Sequence, residues 1–207
     1  MATQPLSAKD RDALAEVANM GAGHATVALT QMTGRVLRMT ATTGDLLPLG
    51  EITPRIGPPD VPLLGLYFRI FGQTRGSLLV AFPGEATRWM LETLTGAPPA
   101  GMVLGDMQRS AALEVGNILA SAYLSAISNF MGLSLLPSIP DLAWDMTGSV
   151  CDLMLGERAG HDDMALAFYS TFADQERRLT GHYLLMPDQS SLNALMARIH
   201  ERAERVK

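Results

Sequence analysis

The sequence predicts a mixed α/β fold of the α+β kind, in which a pseudo-two-fold antiparallel sheet carries two long helices. Two observations predict this fold. The chain consists of two similar halves, each opening with a long, mostly apolar helix, and Glu16-Val-Ala-Asn19 recurs 98 residues later as Glu114-Val-Gly-Asn117. Two copies are too few for a solenoid, so we expect the halves to pair and share one sheet. The whole chain, residues 1–207, is then a single domain with repeats at about 7–96 and 105–204.

The first half is predicted to hold two helices and three strands. Ser7 and Asp10 have the spacing of a capping box, with Asp in place of the usual Glu or Gln, and this marks the start of the first helix. Pro83 marks the start of the second, because its fixed φ suits the first helical turn. The predicted elements are a helix at 7–32, a strand at 36–42, a Gly- and Pro-rich loop at 44–62, a hairpin of strands at 64–71 and 76–82, and a helix at 83–95.

The second half repeats this order after a linker at 96–105. The stretch from Gly181 to Pro187 resembles the stretch from Gly76 to Pro83, which supports the duplication. One helix, at 141–155, is expected to be additional. The predicted elements are a helix at 106–131, a short strand at 134–136, the additional helix at 141–155, strands at 165–171 and 180–186, and a last helix from Pro187 to about residue 204.

Composition excludes several function classes. Hydrophobic residues make up 47% and charged residues 18% of the chain, as in soluble globular proteins. The net charge of −5 and the absence of a basic run argue against nucleic-acid binding. No apolar run approaches the length of a membrane span, and the N-terminus lacks the apolar core of a signal peptide. We therefore expect a cytoplasmic protein that does not insert into a membrane.

Cysteine and histidine usage predicts neither a disulfide nor a metal site. The lone Cys151 has apolar neighbours and is expected to be a buried, inert thiol. The histidines are scattered without the spacing of metal ligands. They are His24, His161, His182 and His200.

Each long helix carries one narrow polar stripe on an otherwise apolar circumference. At about 100° per residue, the stripe residues of a helix fall within about 60° of one another. They are Asp12, Glu16 and Asn19 in the first helix, and Ser110, Glu114 and Asn117 in the second. A buried helix whose polar edge faces water would explain one such stripe. It explains less well why the same Glu and Asn recur at the same spacing, because Asn has mediocre helix propensity and little structural reason to persist.

The pattern Asp/Ser-x3-Glu-x2-Asn, followed after 22 residues by Pro, resembles the signature of the CheC, CheX and FliY family of chemotaxis phosphatases. The second copy matches in full and is completed by Pro140. The first copy departs from the pattern, since Thr42 stands in the proline position, and His24 stands where the family has Asn. The resemblance covers nearly the whole chain and implies a CheC-like fold.

The resemblance also implies an activity. The protein would hydrolyse the aspartyl phosphate of a phosphorylated CheY-like response regulator, with Asn19 and Asn117 positioning a water in line. Glu16 and Glu114 would each pair with the active-site lysine of the receiver. Asp12, Ser110 and Pro140 are supporting positions of the motif, and Mg²⁺ is expected on the receiver, so this chain would need no cofactor of its own.

Two further expectations follow from the resemblance. CheC-type members act as monomers and also bind the receptor deamidase CheD, which makes CheD a candidate partner. Because Thr42 replaces proline in the first copy, we expect the Ser110–Glu114–Asn117 site to carry most of the turnover. The alternative is a non-catalytic adapter that binds a phosphorylated receiver or CheD through the same face, since Glu and Asn suit docking as well as chemistry.

Overall fold

The computed structural model describes residues 7–155, 164–173 and 178–205. Within them lie six α-helices, one short 3-10 helix and seven strands. In chain order they are α1 (Ala8–Thr33), β1 (Arg38–Pro48), the 3-10 helix (Leu49–Glu51), α2 (Ile52–Ile56), β2 (Pro62–Gly72), β3 (Gly76–Pro83), α3 (Gly84–Thr95), α4 (Asp106–Met131), β4 (Leu135–Pro137), β5 (Asp141–Met146), α5 (Thr147–Leu155), β6 (Met164–Ala173), β7 (Arg178–Pro187) and α6 (Gln189–Arg205).

The strands form one antiparallel sheet whose order is palindromic with respect to the repeat. The order is β1-β6-β7-β3-β2-β4, and β5 also pairs with β2. The counterparts in the two halves are β1 and β4–β5, β2 and β6, and β3 and β7. If every strand is replaced by its counterpart, the same order results, read from the opposite edge of the sheet. The pseudo-two-fold axis therefore passes between β3 and β7, and each half also lends its outer strands to the other, because β1 pairs with β6 while β4 and β5 pair with β2. The predicted mixed α/β class and the pseudo-two-fold antiparallel sheet are confirmed.

Two predicted segments differ from the structure. The segment 44–62 is not a plain loop, because β1 continues to Pro48 and a 3-10 helix and α2 follow it. The predicted helix at 141–155 is wrong over its first part, where β5 lies at the sheet edge against β2. Helical and strand patterns are hard to separate in a short apolar run, and here pairing with β2 decides the outcome. The helix α5 thus has a counterpart in α2 and is not an addition.

The main core lies between one face of the sheet and the helices α1, α3, α4 and α6. At its centre the buried ring of Tyr123 on α4 stacks on Tyr183, with centroids 4.3 Å apart, and meets Phe168 at 5.5 Å. Gly21 on α1 faces this ring at close range, and Gly116 on α4 faces the buried Leu66 of β2. Both glycines let a helix approach more closely than a larger residue would permit.

A smaller core covers part of the opposite sheet face, beneath α2 and α5. Gly65 of β2 makes room there for Val150 and Met154 of α5. Cys151 is buried in this core, as predicted, and burial raises the pKa of its thiol. Trp144, expected on a helix, lies instead on β5, and its indole N–H donates to the Gly101 carbonyl at 3.2 Å.

The start of α1 is fastened to the last helix. Ser7 caps α1, its hydroxyl and backbone N–H both donating to Asp10 Oδ2, which confirms the predicted capping box. On α6, His200 Nδ1 lies 2.6 Å from the other carboxylate oxygen of Asp10. Burial alone would raise the pKa of Asp10, but the Ser7 hydrogen bonds and His200 outweigh it and hold that pKa below its usual value.

The helix α4 is the one described segment whose length and apolar composition would allow it to cross a membrane, although the sequence was expected to contain none. Half of that apolar window is buried inside the protein. Its apolar surface packs against α1, α3 and the sheet, as in the core helix of a folded domain.

Candidate functional site

The two polar stripes lie on neighbouring helices and face solvent. The helices α1 and α4 pack directly against each other over the main core. Glu16, Asn19 and Glu114 are exposed, and Asn117 is partly exposed. The supporting motif positions Asp12 and Ser110 are exposed as well. The prediction that both stripes point outward on helices is therefore confirmed.

Burial of the opposite helix faces fixes the outward direction of the stripes. Leu14, Val17 and Ala18 of α1 are fully or almost fully buried, and Val115 and Leu119 of α4 are fully buried. Because these residues alternate with the stripe at helical spacing, the Glu and Asn side chains project away from the core.

The four Glu and Asn side chains are available for an external partner. The structure gives Glu16, Asn19, Glu114 and Asn117 no side-chain hydrogen bond or ion pair with any described residue. A carboxylate accepts hydrogen bonds and a carboxamide both donates and accepts. Each stripe can therefore bind a cation and hold a water or an anionic oxygen close beside it.

Each helix that carries a stripe begins at a fixed position. The Asp10 side chain joins the start of α1 to His200, as described above. At the equivalent place in α4, Gln108 Oε1 accepts from the Gly105 backbone N–H at 3.1 Å, and Gln108 Nε2 donates to the Ala97 carbonyl at 2.9 Å. The first turn of each helix, which immediately precedes the stripe, is thus attached to another part of the fold. These attachments depend on tertiary contacts that the sequence pattern did not reveal.

Two residues that the motif does not include border the two stripes. Met107 lies one turn before Ser110 and about 20° from Glu114 on the helical wheel, and it is 69% exposed. Lys9 occupies the equivalent position in α1 and is also exposed. An apolar side chain therefore borders one stripe, whereas a cation borders the other.

Pro140 lies between β4 and β5, not between a strand and a helix as expected. The equivalent region of the first half is the continuous strand β1, in which position 42 pairs with Ser170. Proline lacks the N–H that a ladder needs, so it is found at sheet edges and strand breaks. The two halves thus differ in backbone at this position: one edge of the sheet is a single strand and the other is interrupted.

The described residues contain no group of three or more His, Cys, Asp and Glu side chains placed to hold a metal ion. His24 lies exposed on α1, and His182 lies buried in the sheet. His161 falls outside the described residues. The groups that the two stripes share are a carboxylate and a carboxamide, which bind and orient other groups through charge and hydrogen bonds.

Comparison with known proteins identifies similar sequences. A family model described as the CheC-like family matches residues 10–41, which include the first stripe. The CheY-P phosphatase CheC of Bacillus subtilis is 33% identical over 189 residues, which cover 89% of this chain and 90% of that protein. The similarity therefore extends through both repeats.

Solved structures share the fold at low sequence identity. FliY of Thermotoga maritima superposes with a TM-score of 0.76 and 12% identity, covering 96% of this chain and 100% of that one. CheX from Borrelia burgdorferi, solved in a complex with CheY, BeF3 and magnesium, gives a TM-score of 0.51 and 12% identity, covering 81% and 96%.

Proposed function

Because the chain belongs to the CheC-like family, we propose that it is a phosphatase that hydrolyses the aspartyl phosphate of a CheY-like response regulator. The observation that carries the proposal is the pair of solvent-facing Glu–Asn stripes on adjacent helices, with no internal partner among the described residues. The relative from Bacillus subtilis is a CheY-P phosphatase, and the Borrelia CheX was solved bound to CheY. Both support a receiver as the substrate.

In the proposed mechanism the asparagine positions the attacking water. Phosphoryl transfer passes through a loose transition state, so placing the nucleophile in line is the main catalytic need. The carboxamide oxygen of Asn117 or Asn19 accepts a hydrogen bond from the water, and its NH2 group donates to a phosphoryl oxygen. The magnesium ion that neutralises the phosphoryl charge belongs to the receiver. Chelating this ion is expected to abolish turnover, and adding Mg²⁺ to restore it.

The glutamates anchor the partner. Glu114 and Glu16 are each one helical turn before an asparagine, so a lysine of the receiver that pairs with the carboxylate brings the phosphorylated aspartate next to the carboxamide. Such a pairing becomes stronger when docking removes water from it. Replacing Glu114 with glutamine is expected to raise KM more than it lowers kcat.

The proposal includes cellular and assembly features. We place the protein in the cytoplasm, where its one cysteine stays reduced, and we propose that it acts as a monomer and also binds CheD. Size-exclusion chromatography with light scattering tests the monomer. Titration with purified CheD tests the second partner.

The two stripes are proposed to differ in rate, with the Ser110–Glu114–Asn117 site as the main one. Substituting Asn117→Ala should remove most of the turnover. Asn19→Ala should remove less, because its copy of the motif lacks the proline, and a water misplaced in that site lowers the rate on the order of 10²-fold. Ser125→Ala, on the exposed side of α4 beyond the motif, is the matched control and should be neutral.

The assay follows the decay of excess phosphorylated receiver with substoichiometric protein. Loss of most activity in Asn19→Ala, with Asn117→Ala near wild type, would reverse the ranking of the sites. Absence of turnover in the unsubstituted protein, together with stoichiometric binding of the phosphorylated receiver, would identify an adapter instead of a phosphatase.

A further inference from the structure

One corner of the second sheet face remains uncovered. The helices α2 and α5 cover the part of that face formed by Leu63, Leu79 and Leu184. Beyond them the face continues along β2 into a cavity of about 590 Å³. Its lining includes Tyr67, Arg69, Phe71, Arg75 and Asp188. This corner lies across the sheet from the helices that carry the polar stripes, so it is separate from the site described above.

The cavity is positively charged although the chain is acidic overall. Arg69 and Arg75 both line it, and the structure gives their guanidinium groups no hydrogen bond or ion pair with a described residue. Asp188 also lines it, but its Oδ1 accepts from Ser190 Oγ at 2.8 Å and from the Ser191 backbone N–H at 2.7 Å, capping α6. In a chain of net charge −5, two arginines that have no partner among the described residues outnumber the one carboxylate of this cavity, and this favours an anionic ligand.

The backbones that carry these arginines are held in place by other elements. The Arg69 backbone N–H donates to Ser138 Oγ at 3.0 Å, and its carbonyl accepts from the Ser138 N–H at 2.8 Å. The Arg75 N–H donates to Ser191 Oγ at 2.8 Å, and its carbonyl accepts from the Asp188 N–H at 2.9 Å. The backbones of the two arginines are therefore fixed, so binding has to order only their side chains.

An apolar margin borders the charged part of the cavity. Phe71 on β2 pairs with Leu136 on β4, so the two side chains share a face, and they are 54% and 58% exposed. Aromatic residues and arginine are enriched in protein interfaces and in their energetic centres. A small-molecule pocket would enclose most of its ligand, whereas this cavity is open beside exposed apolar side chains.

We propose that this corner, comprising Arg69, Arg75, Phe71 and Leu136, docks a segment of a partner protein that carries acidic and apolar residues. Carboxylates of the segment pair with the two guanidinium groups, and an apolar side chain covers Phe71 and Leu136. The inference does not depend on the proposed phosphatase activity, because it uses a different face of the protein.

The test measures fluorescence anisotropy of a labelled synthetic peptide in which glutamate alternates with leucine. The full-length protein should bind it, and the double variant Arg69→Glu/Arg75→Glu should bind about tenfold or more weakly, since hydrogen bonds to charged groups are lost. Phe71→Ser should weaken binding severalfold. Arg38→Glu, exposed on the opposite edge strand, is the matched control and should bind like wild type.

Circular dichroism and thermal unfolding establish that each variant is folded. The proposal is overturned if the unsubstituted protein does not bind the peptide, or if the double variant binds it as tightly as wild type. It is equally overturned if the peptide with lysine in place of glutamate binds as well, or if inorganic phosphate displaces the peptide at equal concentration, which would indicate a site for small anions.

Discussion

Replacing Gly21 with alanine tests how closely α1 and α4 pack. A Cβ built at Gly21 lies 2.5 Å from Tyr123 Cδ2, about 1 Å inside the optimal separation of two carbon atoms. The Tyr123 ring cannot move freely, because it is fully buried and stacked on Tyr183. Overpacking of this kind costs about 1–3 kcal/mol, whereas the gain in helix propensity over glycine is only about 1 kcal/mol.

The matched control is Gly23→Ala, two residues further along α1. No atom lies within 4 Å of a Cβ built there, so only the propensity gain remains. We expect Gly23→Ala to raise the free energy of unfolding by about 1 kcal/mol. Gly21→Ala should be about 1–3 kcal/mol less stable than that control. At about 2–4 °C per kcal/mol for a chain of this size, the two melting temperatures should differ by several degrees.

Urea unfolding of the two variants measures this difference, with the slope against urea checked for constancy. If Gly21→Ala proves as stable as Gly23→Ala, then α1 and α4 can separate at no cost and the close packing inferred here is wrong. If both variants have the same free energy of unfolding as wild type, the reasoning is also refuted, because Gly23→Ala would then show no gain from the higher helix propensity of alanine.

Two further predictions concern titrating groups. Burial lowers the pKa of His182 to about 4, below its usual value near 6.5, so the unfolded chain takes up a proton first as pH falls and stability is lost from about pH 6.5 down to about 4. The loss attributable to this residue between pH 7 and pH 5 is about 2 kcal/mol, and it should disappear in His182→Leu when urea unfolding is repeated at both pH values. Asp10→Ala should cost about 1–2 kcal/mol in thermal unfolding, because it removes the capping box and leaves Ser7 and His200 unpaired. His200→Ala, which keeps the capping box, should cost less, and an equal cost would locate the stabilisation in α6.

Much of the fold follows from local sequence signals. The helix α4 has the predicted bounds, Asp106–Met131, and α1 begins after the predicted cap at Ser7. Both helices are long, and their apolar residues recur at helical spacing, so propensity and burial favour the same structure. The outward direction of the Glu and Asn stripes followed from the same spacing.

The parts that were mispredicted depend on contacts between distant segments. Trp144 lies on a strand because β5 pairs with β2, a partner far away in sequence. The contact between Asp10 and His200 likewise joins the two ends of the described chain. Nothing in local spacing specifies either contact. The same holds for the uncovered corner, where the backbone N–H groups of the two arginines donate to Ser138 and Ser191 from later elements.

The palindromic order of the sheet makes the fold indifferent to which half comes first. The contact between Asp10 and His200 brings the first and last described helices together, while the linker at 96–105 joins the halves by a single passage of the chain. A circular permutant opened in that linker, with the original ends joined, would exchange the halves and keep the same neighbours for every strand. The second stripe would then come first along the chain, but its half would keep the interrupted edge of β4 and β5, and the first stripe would keep the continuous strand β1. Any difference in rate between the two stripes would therefore follow the edge strand of each half and would not depend on the order of the halves in the sequence.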